Sequence, residues 1–306
     1  MQPIQGRRIR KAPPLKKGDR IGAVAPASPF DTDLFFSGVQ VLNAMGFEVV
    51  WQEGLFGREG YLAGADEDRL AMLHAFFIDP EIAAVWCARG GYGSMRLLPH
   101  LDLQLLGSRP KPFIGSSDIT ALLNFLWQQC GIPAFHGPMI ASLCDADEKT
   151  VHFLGSALTG SSPLSIQAEN PDTIVPGAGT GPVAGGNLST LSHLLGTPYF
   201  PDLSGAIVFL EDIGEKPYRI DRMLTQLLYS GHLDRAAGIC LGTFTNCGDV
   251  AAVNSTIRER LRSMPMPVVS GFPAGHGMPC LILPLGIEAT LDGDNGRLFY
   301  TDSAFK

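Results

Sequence analysis

The chain has 306 residues, of which 45% are hydrophobic and 17% are charged, and its formal net charge is −7. Because a domain usually holds roughly 150 residues, this length allows two domains of ordinary globular composition. The negative charge argues against nucleic acid as a partner, since that partner requires a basic surface. No segment reaches the roughly 18 apolar residues of a membrane span, so we expect no membrane partner and a cytoplasmic location.

The spacing of the cysteines argues against a metal site, and the basic N-terminus lacks the apolar segment of a targeting signal. The six cysteines form no C-x-x-C pair and several lie in apolar segments. This pattern favours reduced, buried thiols over a zinc site. Residues 1–18 carry several arginines and lysines with no apolar segment after them, and we predict a solvated N-terminal arm over this range.

Residues 19–160 alternate apolar strands with helices. The strands are continuously apolar rather than two-faced, which is typical of a parallel sheet covered by helices. We therefore predict an N-terminal parallel-sheet α/β domain, whose ligand would bind beyond the carboxyl ends of the strands. The predicted strands are 21–26, 47–51, 82–87 and 113–114, and the predicted helices include 31–45, 66–78 and a segment that begins near 119.

The pattern changes after residue 160. Residues 161–180 are rich in glycine and proline and show little periodicity, which predicts an inter-domain linker. Residues 181–306 mix strands and helices without clean alternation, so an α+β domain with a β-rich end fits best. Its predicted strands are 206–210, 237–241, 267–270 and 281–290, and its predicted helices are 187–195, 217–230 and 251–263.

One strand-to-helix junction stands out, at residues 111–127. A short apolar strand meets Gly115, two serines and an aspartate follow, and a helix with one apolar stripe begins. Such a turn exposes a serine hydroxyl above a helix N-terminus, as in a nucleophile elbow, although Ile119 stands where G-x-S-x-G has its last glycine. Serine and aspartate are also common helix N-caps, worth about 1 kcal/mol, and this stretch alone leaves both interpretations open.

A glycine-rich loop follows the predicted strand 82–87. Its sequence is Arg89-Gly90-Gly91-Tyr92-Gly93, and three glycines in four residues allow a backbone to approach a ligand closely. The spacing matches neither G-x-G-x-x-G nor a P-loop, so a dinucleotide site is not expected. A tight strand-to-helix turn without a ligand is the alternative.

A serine nucleophile needs a base, and the base needs an orienting group. Two histidines, His136 and His276, lie in glycine- and proline-containing loops that hold a side chain by backbone geometry. Glu211 closes a strongly apolar strand, where a carboxylate points into the ligand crevice. Glu215 is the competing acid, in a turn that leads into a helix.

Taken in order, these segments resemble the motifs of the LD-carboxypeptidases, the serine peptidases of the muramoyltetrapeptide carboxypeptidase family. The resemblance runs from about residue 20 to 290. It implies Ser117 as the nucleophile, Glu211 as the orienting acid and His276 as the base. Ser116 stands where the family usually has an aromatic residue. The matching segments are Cys87–Gly93, Ile114–Ile119, His136–Pro138, Gly185–Leu188, Leu210–Arg222 and Gly275–Gly277.

The resemblance implies an activity and further site residues. The reaction is hydrolysis of the amide between an L-centre and a C-terminal D-amino acid, typically D-alanine on a murein tetrapeptide during cell-wall recycling. The N–H groups of Asp118 and Gly91 would form the oxyanion hole. Arg89 would bind the substrate carboxylate, with Gly90 and Tyr92 beside it. No metal or cofactor is implied, and the site would lie in the cleft between the two domains.

Three further expectations accompany this interpretation. The family implies a homodimer. A second hydrolase of the same fold cleaves acyl-sulfamoyl or acyl-phosphoramidate adenylates, as in microcin C self-immunity, and needs a slot for adenine that the sequence does not reveal. A protein of another class, a non-catalytic murein-fragment binder, would use the glycine loops to hold an anion.

Overall fold

The computed structural model describes residues 9–160 and 164–306. Within these ranges fourteen strands form two sheets. The strands are β1 Arg20–Val24, β2 Glu48–Val50, β3 Ile82–Cys87, β4 Phe113–Gly115, β5 Ala134–His136, β6 Ser165–Gln167, β7 Asp172–Val175, β8 Ala178–Asn187, β9 Ile207–Ile213, β10 Gly238–Thr245, β11 Val268–Ser270, β12 Leu283–Leu285, β13 Glu288–Asp292 and β14 Arg297–Tyr300. The α-helices are α1 Thr32–Ala44, α2 Asp66–Ile78, α3 Leu103–Ser108, α4 Thr120–Phe125, α5 Glu148–Leu158, α6 Leu188–Leu194, α7 Pro217–Tyr229 and α8 Val250–Leu261.

The first sheet confirms the predicted N-terminal parallel sheet. Its order is β12-β5-β4-β3-β1-β2, and every neighbouring pair is parallel except β12 with β5. The strand side chains are buried as continuously apolar strands require, with Trp86 and Phe113 inaccessible to solvent. β12 comes from the C-terminal part of the chain and covers the free edge of β5, so this sheet extends beyond the predicted 19–160 domain.

The second sheet has the order β6-β14-β13-β8-β9-β10-β11-β7. Its centre, β8 to β11, is parallel, and α6, α7 and α8 lie between successive strands. The strands on both sides of this centre are antiparallel, including the β13–β14 hairpin. The β-rich character of the C-terminal part is therefore confirmed, but the strand-helix alternation at its centre is cleaner than the sequence indicated.

The stretch predicted as a linker, 161–180, is partly a sheet. Residues 161–163 lie outside the described ranges. β6 and β7 form the two edges of the second sheet, and β8 begins at Ala178. The described glycines and prolines of this stretch lie between strands, at Pro171, Pro176 and Gly177, or in β8, so composition alone indicated a connection.

The N-terminal residues are not a solvated arm in their described part, residues 9–18. Ala12 forms a bridge to Phe305, and the Leu15 amide donates to the Leu158 carbonyl. Lys11 pairs with Asp302 at 2.6 Å. Leu15 is buried in the core, so its apolar side chain holds the segment against the fold. Residues 1–8 of the predicted arm lie outside the described ranges.

The helix after the candidate elbow is buried on both faces, and this joins the two halves of the chain. The predicted apolar stripe is buried, but so is the opposite polar face. Thr120 Oγ1 accepts from the Asn187 amide, and Asn124 both donates to and accepts from the backbone of Gly185. Gln128 continues this row one turn further along the chain, pairing with the backbone of Asp202 in both directions. A row of three polar side chains therefore fixes the C-terminal half against the helix.

Asn124→Leu is expected to lower the free energy of unfolding by about 2–4 kcal/mol. Leucine has a similar size, but it leaves the buried N–H and C=O of Gly185 without partners, at about 1–3 kcal/mol each. Urea unfolding at constant m-value measures the loss. The matched control is Asn43→Leu, in an exposed position on α1, which should change stability by no more than about 0.5 kcal/mol. Equal effects at both positions would contradict the proposed role of this row.

Candidate active site

Ser117 lies in a strained turn between β4 and α4. Its φ angle is +59°, in the left-handed region that a non-glycine residue rarely adopts. Residues Ser117–Ile119 form one turn of 3-10 helix before α4 begins, and Ser117 is partly exposed between buried neighbours. This geometry presents the hydroxyl at the carboxyl end of a parallel strand, as the elbow interpretation predicts.

The glycine loop packs directly on this serine. A Cβ atom on Gly90 would lie 2.8 Å from Cβ and 3.2 Å from Oγ of Ser117, so only glycine fits at this distance. The neighbouring Gly91 N–H donates no hydrogen bond within the described residues. An unused amide beside the hydroxyl is what an oxyanion hole requires.

Asp118 connects the elbow to this loop through its side chain as well as its backbone. Its Oδ2 accepts from the Ser94 amide at 2.7 Å, and its carbonyl accepts from the Ser94 hydroxyl at 2.6 Å. Burial raises the pKa of the Asp118 carboxyl, although the Ser94 hydrogen bonds and the charge of Arg69 act in the opposite direction. The sequence indicated only the amide of Asp118, so its carboxylate is an additional element of the site.

Glu211 and His276 form a close pair. His276 Nδ1 and Glu211 Oε2 are 2.6 Å apart, Glu211 is fully buried on β9, and 14% of the His276 side chain is exposed. Gly275 permits this approach, because a Cβ there would lie 2.8 Å from Oε2. Its φ of +125° is a further reason for glycine. The competing Glu215 lies in a turn and pairs with Arg219 instead.

The electrostatics of the pair favour an ionised acid beside a basic imidazole. Burial acts to raise the pKa of Glu211, but the two imidazoles of His136 and His276 outweigh it and hold that pKa well below its usual range. Burial acts to lower the pKa of His276, but the hydrogen bond and charge of Glu211 outweigh it and raise that pKa. The second nitrogen of the ring, Nε2, has no hydrogen-bond partner among the described residues.

A chain of three contacts connects Ser117 to this pair. Thr190 Oγ1 lies 3.4 Å from the Ser117 carbonyl and 3.0 Å from Asn187 Oδ1. Asn187 in turn donates to Glu211 Oε1 at 3.3 Å. Within the described residues no hydrogen bond joins Ser117 Oγ to the His276 ring. Catalytic hydrogen bonds are often longer without substrate and shorten in the complex.

Asn187 is a functional candidate that sequence reasoning quoted but did not assign. It closes β8, caps α6 by accepting from the Thr190 amide, and donates to both Glu211 and Asp212. The signal was present: a polar residue at a strand-to-helix junction, preceded by two glycines. Its role depends on contacts with β9, which local sequence does not reveal.

The residues predicted to bind the substrate carboxylate lie at the rim of the glycine loop. Arg89 is exposed, and its Nη1 donates to the Pro29 carbonyl at 2.7 Å. Tyr92 is 50% exposed and packs edge-to-face on Tyr61, with ring centroids 5.6 Å apart. Arg89 therefore keeps guanidinium N–H groups available for a ligand, but nothing in its contacts directs them toward Ser117.

Neither a metal centre nor a membrane-spanning helix is present among the described residues. No group of three or more histidine, cysteine, aspartate or glutamate side chains is arranged to hold a metal ion. No described helix is long and apolar enough to cross a membrane.

A serine at such a turn and a histidine held by a buried carboxylate are the elements that serine-type hydrolases combine. Two family models identify the family within this class. The model of the LD-carboxypeptidase N-terminal domain matches residues 21–137, and that of the LD-carboxypeptidase C-terminal domain matches residues 180–291. The chain belongs to the LD-carboxypeptidase family.

Individual relatives agree with this assignment. The probable murein peptide carboxypeptidase of Bacillus subtilis is 39% identical, over 91% of this chain and 90% of the relative. The crystal structure of muramoyltetrapeptide carboxypeptidase from Oxalobacter formigenes has a TM-score of 0.83 at 32% identity, covering 93% of this chain and 99% of that one. The microcin C7 self-immunity protein MccF has a TM-score of 0.89 at 27% identity, covering 97% and 99%.

Proposed function

We propose that the protein is a serine carboxypeptidase that releases D-alanine from murein tetrapeptides during cell-wall recycling. It would hydrolyse the amide between an L-configured centre and the C-terminal D-amino acid. The buried Glu211–His276 pair carries this proposal, because a base held by an ionised acid activates a serine hydroxyl. The names of the murein peptidase relatives support the substrate.

The mechanism follows from the positions of these groups. Ser117 Oγ attacks the scissile carbonyl while His276 Nε2 accepts its proton, and Glu211 holds Nδ1–H so that the imidazolium is stabilised. The amides of Gly91 and Asp118 donate to the oxyanion. His276 then protonates the leaving amine of the D-amino acid. A water molecule, activated by the same imidazole, hydrolyses the acyl-enzyme and restores Ser117.

The remaining assignments belong to the same proposal. Arg89 would bind the free carboxylate of the substrate, with Gly90 and Tyr92 lining the approach. We propose a cytoplasmic location, which fits six cysteines that all remain free thiols. We also propose a homodimer, and light scattering on the purified protein would measure it.

The deciding experiment compares three substrates. L-Ala-γ-D-Glu-meso-diaminopimelyl-D-Ala should release free D-alanine, and the same peptide ending in L-alanine should not react. Hydrolysis of aspartyl sulfamoyl adenosine instead would support a microcin-immunity activity, which the likeness to MccF keeps as the second candidate. If neither substrate reacts and a fluorophosphonate probe leaves Ser117 unmodified, the protein is a binder and the proposal is wrong.

The pH dependence of kcat/KM should show an acidic limb above pH 6.5. The base must be neutral to accept a proton, and Glu211 raises the pKa of His276 above its ordinary value of 6.5. Activity therefore falls as the pH drops through this raised pKa, since the imidazole becomes protonated. Initial rates at subsaturating tetrapeptide measure the limb, because kcat/KM reports the free enzyme. A limb at pH 5 or below would contradict the assignment of His276.

Asp118→Ala should lower kcat by about 10²–10³-fold, the usual effect of losing one oxyanion donor. Without the carboxylate, the Ser94 amide loses its acceptor, and the loop that carries Gly91 keeps only the Ser94 hydroxyl bond to the elbow. D-alanine release under saturating substrate measures the effect. The matched control is Asp102→Ala, which removes only the N-cap of α3 and should leave kcat unchanged at a cost of about 1 kcal/mol in stability.

A further inference from the structure

His136 is a buried titratable group to which the proposed mechanism gives no role. Its side chain is inaccessible to solvent, and neither ring nitrogen has a hydrogen-bond partner within the described residues. A buried polar group without a partner destabilises a fold, so its presence calls for an explanation. The explanation lies in what the ring faces.

The ring of His136 faces the carboxylate that holds the base. Its Nε2 is 3.7 Å from Oε1 of Glu211, while Oε2 of the same carboxylate contacts Nδ1 of His276 at 2.6 Å. Asn187 Nδ2 approaches Oε1 at 3.3 Å. The two oxygens of Glu211 therefore have different surroundings: one is committed to His276, and the other lies between an amide and an imidazole.

The backbone holds His136 in this position from two sides. In the first sheet it pairs with Gly115 of β4 and with Leu283 of β12. The Gly137 amide donates to the Gly115 carbonyl, two residues before Ser117. The strand that ends at the nucleophile therefore also sets the position of the imidazole on Glu211.

The other ionisable groups nearby do not occupy this place. Asp212 is turned toward Ser189, whose hydroxyl donates to its Oδ2 at 2.8 Å. The thiol of Cys280 donates to the Gly275 carbonyl. The ring of Phe209 packs against His136 at 5.0 Å between centroids and brings no charge. Among these groups, Glu211 is the one acceptor that the imidazole faces.

We propose that His136 is a positioning residue, whose Nε2–H holds Oε1 of Glu211 so that Oε2 stays on His276. The inference deepens the proposed function and rests on it, since the orientation matters when His276 takes the proton of Ser117. Without the imidazole, Oε1 is held only by the long contact of Asn187 at 3.3 Å, and the carboxylate rotates more freely about its Cγ–Cδ bond. Contact at both oxygens keeps it aimed at the imidazolium as charge develops, when a displacement of 1 Å costs on the order of 10²-fold in rate.

Two amide variants separate this role from simple packing. In His136→Gln the side-chain N–H reaches about as far as Nε2 of the imidazole, whereas in His136→Asn it ends near the position of Nδ1 and falls short of Glu211. Phe135→Leu is the control for strand packing, because Phe135 lies on the opposite face of β5 and stacks on Phe305. All three full-length proteins are first checked for folding by thermal unfolding.

The first readout is an NMR titration of the His276 ring, which needs no substrate. In His136→Asn the pKa of His276 should fall toward its ordinary value, because Glu211 no longer stays on Nδ1. His136→Gln and Phe135→Leu should keep the wild-type titration. The second readout is D-alanine release, for which His136→Asn should lower kcat on the order of 10²-fold with KM within about twofold.

Equal titrations of His276 in the wild type and in folded His136→Asn would overturn the inference, as would a His136→Gln variant as damaged as His136→Asn. If no variant unfolds and the titrations behave as expected but the wild type releases no D-alanine, the positioning role stands and the proposed substrate is wrong. The two failures are thus distinguishable.

Discussion

Ser117→Ala is expected to lower kcat by about 10⁶-fold while the protein remains folded. The members of a nucleophile–base–acid set act as a unit, so removal of one abolishes nearly all of their joint contribution. The Ser117 hydroxyl makes no hydrogen bond within the described residues, and its loss should therefore leave the fold intact. D-alanine release by single-turnover kinetics measures the rate, and circular dichroism measures the fold.

Ser117→Gly provides the control for backbone strain. A non-glycine residue at φ +59° carries about 1 kcal/mol or more of backbone strain, and glycine at this position is free of that strain. The glycine variant should be as inactive as the alanine variant but more stable, by about 1 kcal/mol in urea unfolding. More than about 1% residual activity in either variant, or fluorophosphonate labelling at another serine, would show that the nucleophile lies elsewhere.

Glu211→Gln should lower kcat by about 10⁴-fold, as expected when the acid behind a catalytic histidine loses its charge. The amide that replaces the carboxylate no longer favours a proton on His276 Nδ1, so the imidazole is held in the wrong tautomer. The acidic limb of kcat/KM should move to lower pH at the same time, because Glu211 is what raises the pKa of His276. Rates of tetrapeptide hydrolysis across the pH range measure both effects.

Glu215→Gln is the matched control, four residues away. Glu215 pairs with Arg219 at the surface, so its variant should retain the wild-type kcat and pH profile. The two acids were the alternatives that the sequence offered for the same role. Loss of activity in Glu215→Gln with full activity in Glu211→Gln would reverse the assignment.

Local sequence predicted those strands and helices well whose residue pattern is set by nearby positions in the chain. The prediction of β3 over 82–87 and of α2 over 66–78 agrees with the structure to the residue. The elbow was also readable, because a glycine, a serine and a helix start lie within five positions. The edge strands β6 and β7 were missed, since strands this short with one free side show no clear period.

The second face of the elbow helix shows most clearly where prediction from local sequence fails. The sequence indicates one apolar stripe, and the polar residues Thr120, Asn124 and Gln128 would face solvent on that basis. They are buried because β8 and the segment around Asp202 supply backbone partners 61 to 74 residues away in the chain. The periodicity of apolar residues shows which face of a helix is apolar. It does not show which distant backbone groups will form hydrogen bonds with the polar residues on the other face.

By itself, the sequence determined the fold class, the elbow at Ser117 and the candidate acid and base, because each depends on residue types within a short segment or on an ordered set of motifs. Only the tertiary structure decided that Glu211 and His276, 65 positions apart, meet at 2.6 Å, and that His136 lies behind them. The physical reason is that burial and electrostatic coupling arise between distant segments that packing brings together. Those couplings set which side chain can act as base and in which charge state.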